Sequence, residues 1–135
     1  MSGYLLDTTL LIDHATGRRD GVEMVARLFA ETGDLYSCDI TTSEALAGGP
    51  PEERQLIGRF LDALEYRTID PDGARWAGDR RRELRPAGQR SPLGDALIAA
   101  VAWSMDATVV TRNPRDFEPF GVKVLGYGEP IQRRD

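Results

Sequence analysis

Apolar and polar positions along this chain switch between two periods, and the switches mark out a series of elements. Residues 3–6 form a short apolar run ending on Asp7, after which Thr8 and Thr9 lead into Leu10, Leu11 and Ile12. This predicts a buried strand that feeds a short helix over 9–15. A polar turn over 17–21 follows. Val22, Val25, Leu28 and Phe29 then recur at helical spacing, predicting a second helix up to Gly33-Asp34. Residues 35–38 read as a second strand, and Thr41-Thr42-Ser43-Glu44 opens a helix that Gly48-Gly49-Pro50-Pro51 must end. Over 52–64 the chain is amphipathic, with Leu56, Ile57, Phe60, Leu61 and Leu64 in one stripe. Residues 66–69 predict a third strand. Asp70-Pro71 sets an N-cap before a proline at the first helical position, starting an arginine-rich helix that Pro86-Ala87-Gly88 stops.

Ser91-Pro92 repeats that signal. The helix it opens runs to Met105 and is apolar on nearly every side, Trp103 included, so it is expected to be the most buried. A fourth strand over 108–111, a short turn or helix opened by Asn113-Pro114, and a last strand over 122–125 complete the order, and 130–135 reads as a frayed tail. Strands alternating with helices predict an α/β fold, a central, mainly parallel sheet of about five strands flanked by helices on both faces. With no internal repeat or linker, residues 1–135 are expected to form a single domain.

Composition narrows the function classes. The formal net charge is −5 and the pI near 4.9, so the overall field does not attract nucleic acid, and any polyanion binding needs a local cause. Positive charge is concentrated at 75–90, where six arginines against Asp79 and Glu83 give +4 and leave −9 elsewhere. Cys38 is the only cysteine, which excludes an internal disulfide and fits a reducing compartment. No apolar run approaches the roughly 20 residues of a membrane span, and the N-terminus lacks a basic signal region. A cytoplasmic protein without membrane contact is expected.

Four acids, Asp7, Glu44, Asp95 and Asp116, lie just after a predicted strand or at the start of the next helix. Singly, each has a structural explanation: Asp7 as an N-cap, Glu44 in a capping box with Thr41, Asp95 in the first turn after a Ser91 cap, Asp116 three residues after an Asn113 cap. Together they differ, because strand ends of a parallel sheet bring the four segments to one edge, where bare carboxylates repel. A divalent cation resolves that repulsion. Oxygen ligands without clustered cysteine or histidine point to Mg²⁺, with Mn²⁺ as a substitute, and to metal-assisted attack by water on a phosphodiester.

Leu5-Leu6-Asp7-Thr8-Thr9, Thr41-Thr42-Ser43-Glu44, the stretch from Gly94-Asp95 to Ala100, and Thr111-Arg112-Asn113-Pro114-Arg115-Asp116-Phe117 together resemble the PIN-domain ribonucleases, and most of all the VapC toxins of bacterial toxin–antitoxin pairs. The resemblance covers essentially the whole chain. It implies a compact PIN-like α/β sandwich, a carboxylate-bound Mg²⁺ site and endonucleolytic cleavage of RNA. It also implies a homodimer neutralised by a small antitoxin protein, with the apolar helices near Val22 to Phe29 and Leu56 to Leu64 as surface. Carried onto this sequence, Asp7, Glu44 and Asp95 are the central acids and Asp116 the fourth. Thr9 stands where many relatives have asparagine or serine, and Thr111 and Asn113 are polar groups supporting the acids. Arg112, between them, is expected to hold a phosphate bidentately.

Other readings are specific enough to state. A flavodoxin-like phospho-acceptor domain would use Asp7 with a lysine, but the chain's only lysine is Lys123; a haloacid-dehalogenase-type phosphatase needs a second aspartate where Thr9 stands. A catalytically silent PIN-like interaction module is separated from a nuclease by an RNA-cleavage assay with and without chelator. His14, the only histidine, is expected to be structural, as are Trp76 and Trp103; the arginines at 80–85 read as a solvated helix face with a possible RNA-backbone role.

Overall fold

Each strand is only three or four residues long, so its partners and the helices over it decide which side chains are buried. The computed structural model describes residues 3–32 and 34–129. The expected tail at 130–135 lies outside the described residues. In chain order the elements are β1 (Tyr4–Leu6), α1 (Thr8–Ala15), α2 (Arg19–Glu31), β2 (Leu35–Cys38), α3 (Asp39–Leu46), α4 (Pro51–Asp62), β3 (Glu65–Arg67), α5 (Pro71–Leu84), α6 (Leu93–Met105), β4 (Thr108–Thr111) and β5 (Lys123–Gly126). Two 3-10 turns, Pro114–Asp116 and Glu118–Phe120, join β4 to β5.

The five strands form one sheet in the order β3-β2-β1-β4-β5, with every pairing parallel. Alternation along β1 and β4 divides the core. Leu5 and Val109 face a layer with α5 and α6, whereas Leu6 and Val110 face α1, α2 and α4. Helices therefore cover both faces, as a parallel sheet requires.

The expected elements are present, with shifted ends. Helix α2 begins at Arg19 rather than after a turn over 17–21, because only Gly17 turns, at φ +82. Helix α3 begins at Asp39, two residues before the expected Thr41: the Thr41 hydroxyl takes the Cys38 amide at 3.0 Å, so the box is Cys38 with Thr41. Glu44 is thereby freed from capping. Helix α6 is capped from Pro92, and the Ser91 carbonyl instead accepts from Arg81 Nε at 2.7 Å. The Asp70 cap stands, its carboxylate accepting the Gly73 amide at 2.7 Å.

Helix α6 carries more buried residues than any other described helix, Ala96 and the run Ile98 to Ala102. Trp103 departs from expectation: it is 46% exposed and stacks on Trp76 of α5, centroids 5.2 Å apart. Similarly, Val22 and Phe29 of α2 and Leu56 of α4 lie on the outer side of their stripes, exposed, while Val25, Leu28, Ile57 and Phe60 are buried. β3 is a short edge strand with all three side chains exposed, so its polar residues cost nothing there.

Candidate active site

Asp7 ends β1 between β2 and β4, at the point where the strand order reverses and parallel sheets form their ligand crevices. Its backbone is extended and occupies the N-cap position of α1, but its carboxylate does not cap the helix. Instead Asp7 Oδ2 accepts from Thr111 Oγ1 at 2.8 Å and from Thr9 Oγ1 at 3.1 Å. Thr111 is itself oriented by the Asn113 amide, which donates to its hydroxyl at 3.0 Å. Only 6% of Asp7 is exposed. Burial pushes its carboxyl above the usual carboxylate range and the nearby Glu44 charge adds to the rise, while the Thr111 hydroxyl, the Thr8 amide and the Thr9 hydroxyl pull the other way.

Glu44 reaches the same edge from α3. Thr8 Oγ1 donates to its Oε1 at 2.6 Å, and its other oxygen lies against Gly94 so closely that a Cβ there would overlap it. Gly94 places the next residue, Asp95, in the first turn of α6. Asp95 and Asp116 line one cleft of about 300 Å³, with Arg90 and Arg115 beside them. The structure thus joins Asp7 to Glu44 and Asp95 to Asp116, and the Glu44–Gly94 contact links the two pairs. Among the described residues, no three acidic, histidine or cysteine side chains lie close enough together to hold a metal ion between them.

Arg112, expected to hold a phosphate, meets a carboxylate of the protein through its Nε. Its side chain is 14% exposed and its Nε lies 3.1 Å from Asp13 Oδ2, close but too oblique for a hydrogen bond, so the contact is an ion pair. Its backbone still serves the site, the amide donating to Thr9 Oγ1 at 3.5 Å. Arg80 is likewise engaged, with Glu83 and the Pro119 carbonyl. The cations of the cleft are Arg90 and Arg115. His14 packs on Phe60, centroids 4.0 Å apart, and burial lowers its pKa below the ordinary imidazole value, consistent with a structural role.

Sequence reasoning missed Asp13 and Tyr127. Both are 6% exposed, and the Tyr127 hydroxyl donates to Asp13 Oδ2 at 2.7 Å. The available signal was a carboxylate four residues after Thr9, on the buried side of a short apolar helix.

The PIN domain family matches residues 4–121. The chain belongs to that family, and the parallel sheet with acids at its switch-point edge is how it does so. More narrowly, it belongs with the VapC-like members. It is 32% identical over 119 residues to Ribonuclease VapC10 of Mycobacterium tuberculosis, covering 86% of each chain. Against Ribonuclease VapC19 of the same organism it is 30% identical over 116 residues, covering 86% of this chain and 93% of the relative. Among solved structures, DNA-bound VapBC from Salmonella typhimurium has a TM-score of 0.80 at 26% identity, covering 93% of this chain and 98% of that one.

Proposed function

We propose that the protein is a Mg²⁺-dependent endoribonuclease and the toxin of a toxin–antitoxin pair. The observation that carries this reading is the placement of buried Asp7 beside Glu44 at the sheet's switch point, continuous through Gly94 with the cleft of Asp95 and Asp116. A buried carboxylate next to a second one is costly unless a proton or cation neutralises it, and an edge built this way is suited to a cation. The ribonuclease names of the curated relatives support the reading from outside.

The donor chemistry suits Mg²⁺, with Mn²⁺ able to substitute: the acids at this edge offer carboxylate oxygens, while Cys38 is buried in the core and His14 is packed on Phe60. When bound, such an ion supplies a more acidic water and offsets charge on a phosphate. The protein does the rest. Thr9 and Thr111 both bond Oδ2 of Asp7, leaving Oδ1 as the oxygen they do not use, and Thr8 holds one oxygen of Glu44. Arg90 and Arg115 hold RNA phosphates along the cleft. The solved VapBC complex supports an antitoxin partner, and exposed Val22, Phe29 and Leu56 offer apolar surface to it or to a second copy in a homodimer. No described helix is long and apolar enough to cross a membrane, and a cytoplasmic toxin acting on cellular RNA fits this reading.

Purified protein incubated with single-stranded RNA should cleave it in Mg²⁺, stop with chelator and fail as Asp7→Asn. Asparagine is a good N-cap, so a merely capping Asp7 would leave cleavage intact and overturn the proposal.

A further inference from the structure

Six contacts close a circuit behind the acids at the sheet edge. Asp7 Oδ2 receives the Thr111 and Thr9 hydroxyls. The Thr111 carbonyl accepts the Tyr127 amide at 3.2 Å, and the Tyr127 hydroxyl donates to Asp13 Oδ2. Asp13 pairs with Arg112 Nε, and the Arg112 amide returns to Thr9 Oγ1. The circuit ties α1 to the end of β4 and the residue after β5, through contacts that span more than 100 residues of chain.

We infer that Asp13 and Tyr127 are positioning residues that act through this circuit to hold Asp7 for cation binding, and that Asp13, a fifth acid, is not itself a ligand. The inference rests on the metal-site reading above. Stability alone does not account for the pair. A buried carboxylate–arginine contact is often no better than an apolar filling of the same volume, because desolvation consumes the attraction. Here the charge is moreover sealed in: at Gly21 a Cβ would stand 2.7 Å from Asp13 Cβ, so only glycine lets α2 close over it. Burial and the Asp13 bond raise the Tyr127 phenol far above its ordinary pKa, so it remains a donor at every working pH. What the circuit adds is restraint. Thr9 Oγ1 is held from behind by the Arg112 amide and the Thr111 hydroxyl by the Asn113 amide, while the Tyr127 amide fixes the Thr111 backbone through its carbonyl, so both hydroxyls are directed at one oxygen of Asp7. Partners of this outer kind typically tune metal affinity or activity by about 10- to 100-fold.

The test uses the full chain as wild type and as Tyr127→Phe, which removes one hydroxyl and keeps the ring. Mn²⁺ alone serves as the probe, its half-saturation read by electron paramagnetic resonance, beside RNA cleavage in Mg²⁺ and melting in chelator. The expected result is a Mn²⁺ half-saturation raised about 10-fold or more, a matching loss of cleavage at low Mg²⁺ that excess Mg²⁺ recovers, and a chelator melt that is lowered, as losing one buried hydrogen bond requires, but still cooperative. Asp13→Asn, which keeps an acceptor for Tyr127 but loses the charge facing Arg112, carries the same measurement should Tyr127→Phe fail to fold. A variant with a lowered melt but unchanged Mn²⁺ half-saturation would overturn the inference by making the circuit structural only. Wild type that neither binds Mn²⁺ nor cleaves RNA would overturn the function proposal as well, whereas active wild type with an indifferent variant sinks this inference alone.

Discussion

At Gly94 a hydrogen is the largest side chain the site accepts, since a methyl would overlap a carboxylate oxygen of Glu44. The overlapped atom is the end of a flexible side chain, so Gly94→Ala should fold by displacing Glu44. Alanine also favours a helix by about 1 kcal/mol over glycine. We expect Gly94→Ala to melt at or above wild type in chelator yet lose most of its Mg²⁺-dependent cleavage and Mg²⁺-induced melting shift; retained activity would show that Glu44 can move without consequence. Asp7 gives a pH signature. Its folded carboxyl titrates above the ordinary carboxylate range because it is buried. The stability associated with that raised value is fully present below the unfolded value and is lost as pH rises through the folded one. In chelator, Asp7→Asn should therefore gain on wild type as pH climbs through that window to neutrality, and melts over a pH series should show the gap closing on acidification. These residues were legible because acids after strands follow from pattern alone. Asp13 and Tyr127 were not, since nothing local in the sequence tells a buried carboxylate on a helix which residue 114 positions away will meet it.

Helices were legible where their periodicity was strong, as in α2 and α4, or where a long run was apolar on nearly every side, as in α6, and their ends were not. The start of α3 turned on one hydroxyl: Thr41 bonds back to Cys38, a tertiary-neutral local choice that competes with a Thr41–Glu44 box of equal appearance. The exposure of Trp103 depended on α5, whose Trp76 offers a stacking partner at the surface that no pattern within α6 reveals. The small residues of α6 have a stricter meaning. A Cβ at Gly73 of α5 would lie 3.8 Å from Ala100 Cβ, so the two helices approach closely there. Ala100→Leu should overpack this contact and cost about 1–3 kcal/mol, measured by urea denaturation, with cleavage per folded molecule unchanged. A neutral outcome would mean the α5–α6 layer has slack.

For the molecule as a whole, a net charge of −5 has to be reconciled with a polyanionic substrate. The proposed answer is local, with Arg90 and Arg115 at the cleft and a cation at the acids. RNA affinity measured over a salt series in the Asp7→Asn background should fall in steepness by about 0.7 per arginine on changing Arg90 or Arg115 to alanine. An unaltered slope would place the RNA elsewhere. The two tryptophans, the only ones in the chain, have a further use: stacked between α5 and α6, they report on one side of the sheet and are silent about the other. Their emission and near-ultraviolet dichroism are thus a built-in optical label for that layer, and far-ultraviolet dichroism averages over both. If the two signals melt together, the layers unfold as one cooperative unit; if the tryptophans change first, the α5–α6 side opens while α1, α2 and α4 still hold the sheet.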